Sequence, residues 1–188
     1  MNSWAFVLDG HVFYVLSDVS GRTLVCDLTT GQWHHWFTGE VPGLWNMYRG
    51  TMWRGRAVAA DAVTAEVWEV DPLSTLDEGT GLIHRAVTGF HAIRGRGSFR
   101  QGSLRLAASV GDPDVEGAEL RLRFSDDEGQ TWGTTYAVAL QPDAYSQPIS
   151  FRGLGRMHAP GRIWELTDAG GLVRIDGVDS DMEIPANG

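Results

Sequence analysis

Residues 125–132 read Ser125-Asp126-Asp127-Glu128-Gly129-Gln130-Thr131-Trp132 and fit the Asp-box pattern Ser-x-Asp-x-Gly-x-Thr-Trp at every fixed position. The pattern closes a β-hairpin. Ser125 and Asp127 can bond backbone amides of the turn through their side chains. Gly129 supplies a backbone with φ > 0, which costs glycine nothing sterically. Thr131 and Trp132 complete the structural set, and Trp132 is expected to fold back over the hairpin and bury its ring. The flanks fit the same picture. Leu120, Leu122 and Phe124 alternate with Arg121 and Arg123, and Tyr136, Val138 and Leu140 alternate on the far side. The motif is architectural: it implies an all-β chain and is silent about catalysis.

Composition is consistent with that class. The 188 residues are 43% apolar, enough for a real core in one large or two small domains. The 24 glycines and 8 tryptophans suit short strands joined by tight turns. Cys26 is single, so no internal disulfide forms and an oxidising compartment is not signalled. Trp4 to Leu8 is too short for a signal peptide and runs into Asp9-Gly10. No run approaches the roughly 20 apolar residues of a membrane helix. The net charge is −9 and all 15 basic residues are arginine. That acidity argues against tight DNA binding through phosphates. It leaves room for a negative surface that DNA slides past without sticking.

Residues 1–37 read as a meander of short strands. Trp4 to Leu8 and Val12 to Leu16 flank the turn Asp9-Gly10. Ser20-Gly21 turns the chain again, Leu24, Cys26 and Leu28 alternate with Val25 and Asp27, and Thr30-Gly31 precedes Trp33 to Phe37. Such a unit has the form of one propeller blade, and Leu24 to Trp33 resembles a kelch-type blade. Leu44 to Arg49, Ala57 to Ala60 and Val67 to Val70 suggest a second, shorter blade, in which Trp68 echoes Trp33. Trp164 carries a further echo that strand chemistry alone explains. Two blades do not close a ring, so the open edges call for cover from a partner chain, a second copy or the rest of this chain. The expected organisation is a partial propeller over 1–72, a polar linker over 73–82 and a β-sandwich over 83–188. Within the last, Leu104, Leu106, Ala108 and Val110 share a face, Ile149, Phe151, Trp164 and Leu166 follow, and Leu172 to Ile184 closes the chain. A parity switch at Gly177-Val178 predicts a β-bulge.

Residues with chemical potential do not assemble into a catalytic pattern. His34 and His35 point to opposite faces of a strand and grip one ion poorly; His11, His84, His91 and His158 lack ligand spacing. Asp112, Asp114 and Glu116, and Asp176, Asp179, Asp181 and Glu183, are oxygen-rich but lack the order of a calcium loop, so they read as solvated acidic loops. Cys26 lies in an apolar strand, and no nucleophile elbow is present. Arg94, Arg96, Arg100 and Arg105 form a basic run that could meet nucleic acid or the acidic surface of a neighbouring subunit. Trp33, Trp36, Phe37, Trp45 and Trp53 could stack on sugars or fill cores and interfaces. No catalytic, metal or cofactor residue is assigned.

The order of these segments is similar to the C-terminal part of the packaged-DNA stabilisation proteins of tailed bacteriophages. A kelch-like stretch ends in Thr30-Gly31-Gln32-Trp33, Val67-Trp68-Glu69-Val70-Asp71 follows, then the Asp-box domain, then Phe151-Arg152-Gly153-Leu154-Gly155-Arg156 and Arg162-Ile163-Trp164-Glu165-Leu166. The resemblance covers most of residues 4–184, although that family's propeller is longer. It implies a non-enzymatic structural protein of the virion, assembled in the bacterial host cytoplasm. The protein would be a tail accessory or hub protein at the head–tail junction. Its implied form is a homo-oligomeric ring beside portal, adaptor and other tail proteins, in passing contact with DNA and with no membrane. The competing expectation is a carbohydrate-binding tail module or a sialidase-like propeller fragment, since Asp boxes also occur in sialidase propellers. A bacterial kelch-like interaction domain is a third.

Overall fold

The computed structural model describes all residues except 40, 75, 78, 90, 93–97, 111–116, 142, 143, 145, 159–160, 170–172 and 184–188. The described residues contain strands and turns and no helix. They divide into two units, Met1–Thr80 and Gly81–Gly188.

In the first unit, β1 (Asn2–Leu8), β2 (His11–Ser17), β3 (Thr23–Asp27) and β4 (Gln32–Trp36) form an antiparallel meander in that order. The turn Asp9-Gly10 has φ of 49° and 80°, the left-handed pair that matches strand twist in a two-residue hairpin. A second sheet follows from β5 (Met47–Trp53), β6 (Arg56–Asp61) and β7 (Val67–Glu69). Its first hairpin turns at Arg54-Gly55, with φ of 49° and 82°. The strand expected at Leu44 to Arg49 therefore lies further along. Leu76–Asp77 (β8) and Thr80–Gly81 (β9) pair as a two-stranded ribbon inside the segment expected as a plain linker.

The two larger sheets share one core. Trp4, Phe6, Val15 and Val25 meet Trp45, Met47, Ala57 and Ala59, with Trp36 and Val70 packed against them. Trp45 stacks on Trp4 at 5.9 Å between centroids and meets Trp36 edge-on at 4.9 Å. Burying each such large side chain contributes about 1.5–3 kcal/mol. Gly50 is required by this contact, because a Cβ there would lie under 3.0 Å from carbons of the Trp4 ring.

The sheets are also internally repeated. Residues 21–36 align with 55–70 without a gap. Gly21 and Gly55 both turn with φ of 82°. Asp27 and Asp61 are both buried. Asp27 accepts the amide of Thr29 at 2.9 Å, and Asp61 accepts those of Val63 and Thr64 at 2.5 and 2.6 Å. Gly31 and Ala65 follow with φ of 74° and 61°. This alignment corrects the expected echo: Trp68 corresponds to His34, and Trp33 to Val67. The shift is one residue, which on a strand exchanges the two faces. The meander alternation is corrected too. Val25 faces the core, while Leu28 lies exposed beyond the strand end.

The second unit contains β10 (Ile83–Val87), β11 (His91–Ala92), β12 (Ser98–Val110), β13 (Glu119–Ser125), β14 (Tyr136–Ala139), β15 (Gln147–Arg152), β16 (Arg156–His158), β17 (Gly161–Ala169) and β18 (Val173–Glu183). One sheet runs β10-β17-β13-β14, with β11 also on β17. The other has β12 between β18 on one side and β15 and β16 on the other. Both sheets feed one cluster built on Leu104, Leu106, Leu120, Leu122, Ile149, Phe151 and Trp164. The bulge predicted at Gly177-Val178 falls one residue earlier. Ala107 pairs with Gly177 but Ala108 with Ile175, which leaves Asp176 as the extra residue. A second irregularity leaves Gly102 extra on β12.

Candidate interaction surfaces

The turn at 125–132 is held by its own side chains. Ser125 Oγ accepts the Gly129 amide at 2.8 Å and donates to Asp127 Oδ1 at 2.7 Å. Asp127 Oδ1 also accepts the Thr131 amide at 2.8 Å, and Oδ2 accepts the Thr131 hydroxyl at 2.5 Å. These bonds from Thr131 and Ser125 hold the Asp127 carboxyl down at about 2. Glu128 and Gly129 both take positive φ, 60° and 87°. The Trp132 ring, expected to be buried over the hairpin, is half-buried. It lies on the outward face of the sheet under the Arg123 guanidinium, 4.8 Å from the ring centroid.

Asp126, which the motif leaves free, makes the contact that the sequence did not reveal. It accepts two bonds from Arg162, at 2.6 and 2.9 Å. Arg162 is 1% exposed. It also donates to the carbonyls of Leu154 at 2.7 Å and Arg156 at 3.2 Å. Its guanidinium lies 3.6 Å from the Phe124 ring centroid. One arginine thus ties the hairpin tip to the Leu154–Arg156 loop. On the other face of β17, Glu165 is buried between Arg85 and Arg123 and bonds both. Burial pushes its carboxyl up, but the two arginines outweigh that and hold it low.

The other candidate residues are dispersed. His11 bonds Asp27 at 2.8 Å, His84 bonds Asp168 at 3.2 Å, and His35 bonds the Gly43 carbonyl at 2.9 Å. Asp168 is buried, one of its oxygens lacks a partner among the described residues, and burial raises its carboxyl. Among the described residues no three His, Cys, Asp or Glu side chains come together. Cys26 is buried. Arg105 reaches Asp179 of the chain's own β18 at 3.8 Å, and Arg174 reaches Asp176 at 2.7 Å. Arg94, Arg96, Asp112, Asp114, Glu116, Leu172 and Ile184 lie outside the described residues, as do the side chains of His91, Val110, His158 and Val173. Of the aromatics, Trp45 is core, Trp36 and Phe37 are half-buried, and Trp33 and Trp53 are exposed by 57% and 56%.

Two surfaces remain conspicuous. The face of β1–β4 turned away from the core carries Val7, Val12, Tyr14, Leu16, Leu24 and Trp33. Its remaining positions are Ser3, Ala5, Cys26 and His35, so it has no Asp, Glu or Arg. Val7 is 47% exposed there. The hairpin of β5 and β6 instead gathers Tyr48, Arg49, Met52, Trp53, Arg54 and Arg56, all exposed. No known family model matches the chain, and no curated protein matches it.

Proposed function

We propose that the chain is a structural component of a bacteriophage tail or head–tail junction, part of a ring that retains and guides packaged DNA. On this reading the two stacked sheets of the first unit are partial propeller blades, the second unit is a β-sandwich, and residues 125–132 are an Asp box. The observation that carries the reading is the uncharged outward face of β1–β4. A sheet that is apolar on both faces is one that works covered on both, and apolar patches of this kind mark association sites. The gap-free alignment of residues 21–36 with 55–70 supports a blade repeat, whose units stack on neighbours of the same kind. Neighbouring blades would come from portal, adaptor or other tail proteins. The function is interface burial and channel shape, without a reaction.

The test is assembly. Light scattering on the purified chain, followed by electron microscopy of particles carrying it, should show an oligomer or a subunit that orders beside portal or tail proteins. Glycan arrays should be blank. A stable monomer that binds a sugar would overturn the reading in favour of a glycan-binding tail module, for which exposed Trp33 and Trp53 would be the stacking rings.

A further inference from the structure

We infer that copies of the chain associate head to tail, the β5–β6 hairpin of one seating on the free edge of β18 in the next. This rests on the ring reading and assigns its self-contact; the uncharged β1–β4 face is left to other proteins.

The hairpin is a concentrated basic site on an acidic chain. Arg56 is paired with Glu69 at 3.0 Å, whereas Arg49 and Arg54 have no carboxylate within ion-pair distance among the described residues. Arg54 lies over the Trp53 ring at 4.8 Å. Tryptophan, tyrosine, methionine and arginine are the side chains enriched where binding energy concentrates. The left-handed Arg54-Gly55 turn fixes the hairpin tip, so little ordering is needed on binding.

Strand β18 offers the complement. Among the described residues it pairs only with β12, along one side, which leaves the backbone groups of its other side as an open edge there. Asp181 and Glu183 share one face of it and have no basic partner among the described residues. The opposite face carries Ile175, Val178 and Met182, and Val178 is 60% exposed. Two arginines with an exposed tryptophan thus complement two carboxylates with an exposed apolar row. The patches differ, so the contact is heterologous, the geometry that closes into rings. A like-on-like contact would set arginine on arginine or carboxylate on carboxylate.

Charge reversal in the full chain tests this. Arg49→Glu with Arg54→Glu, and separately Asp181→Arg with Glu183→Arg, should each weaken self-association by at least about tenfold, or about 1.4 kcal/mol. Circular dichroism should stay unchanged. Combining all four should restore assembly. Mixing the two double variants should also restore assembly, with the two kinds of chain alternating, because the intact patches complement each other and so do the reversed ones. If the wild-type chain assembles and neither reversal matters, the contact is wrong while the ring stands. A wild-type chain that stays monomeric at every attainable concentration sinks the contact, and the ring reading falls with it only if particles carrying the chain show no ring. Failure of the fourfold variant to recover refutes the pairing. So does an arginine variant that assembles normally but no longer binds a labelled single-stranded oligonucleotide, which would give the hairpin to nucleic acid.

Discussion

Replacing Arg162 with methionine keeps an apolar stem of similar length and removes the guanidinium. The cost follows from its partners. Two carbonyls, of Leu154 and Arg156, lose a charged donor, at about 1 kcal/mol each as a lower figure. Contact with the Phe124 and Trp164 rings contributes about 1 kcal/mol. Asp126 is 42% exposed and can return to water, so its ion pair adds only about 1 kcal/mol. The total is about 4 kcal/mol. Asp126→Asn should cost about 1 kcal/mol, because the arginine keeps its carbonyls and rings. Since the chain has two units, a single melting curve is a poor readout. Amide hydrogen exchange reads each unit separately. Leu122 and Trp164 should lose about a thousandfold in protection in Arg162→Met, while Val15 and Val25 of the first unit serve as unchanged controls. Loss below tenfold, or an Asp126→Asn effect equal to that of Arg162→Met, would refute the assignment of the energy to the carbonyls and rings.

Three further outcomes follow from the geometry. Gly50→Ala should destabilise the first unit by about 1–3 kcal/mol, because the added methyl overpacks against Trp4; urea unfolding followed by tryptophan fluorescence measures it, and a neutral result would mean the two sheets part easily. Asp127→Ala should expose the Thr131 amide to exchange. In the wild type the same loss should come with acid. The Asp127 carboxyl is depressed to about 2, so its contribution is full above the ordinary value near 4 and disappears as pH falls through about 2. Asp168→Asn should stabilise the second unit at pH 7. The wild-type carboxyl is raised by burial, so its charge is a cost that is present above its folded value and absent below the ordinary one; the gain over wild type should vanish by about pH 3. A gain that persisted there would assign the effect to packing.

The all-β class, most turns and the hairpin at 125–132 were legible because they rest on local rules. Period-two alternation marks Leu104 to Ala108, and left-handed backbone selects Asp9-Gly10 and Gly129. Aspartates followed by Ser or Thr announce side-chain-closed turns, as at Asp27 and Asp127. What stayed hidden depends on register and on partners distant in sequence. Trp68 and Trp33 look equivalent as letters, and only pairing of Ala59 with Trp68 and of Val25 with His34 places them on different faces. Asp126 and Arg162 carry no mutual signal, because β13 and β17 become neighbours through the sheet order and not through spacing. The same holds for Glu165 between Arg85 and Arg123. Burial is also a property of the assembled sheets. Leu28 and Val178 are apolar letters in strand-like runs, yet both are exposed: one lies past a strand end and the other on a strand whose single neighbour among the described residues is β12. Local chemistry fixes how each hairpin is built; which side chains it buries, and which edges stay open, is set by where the hairpins stack.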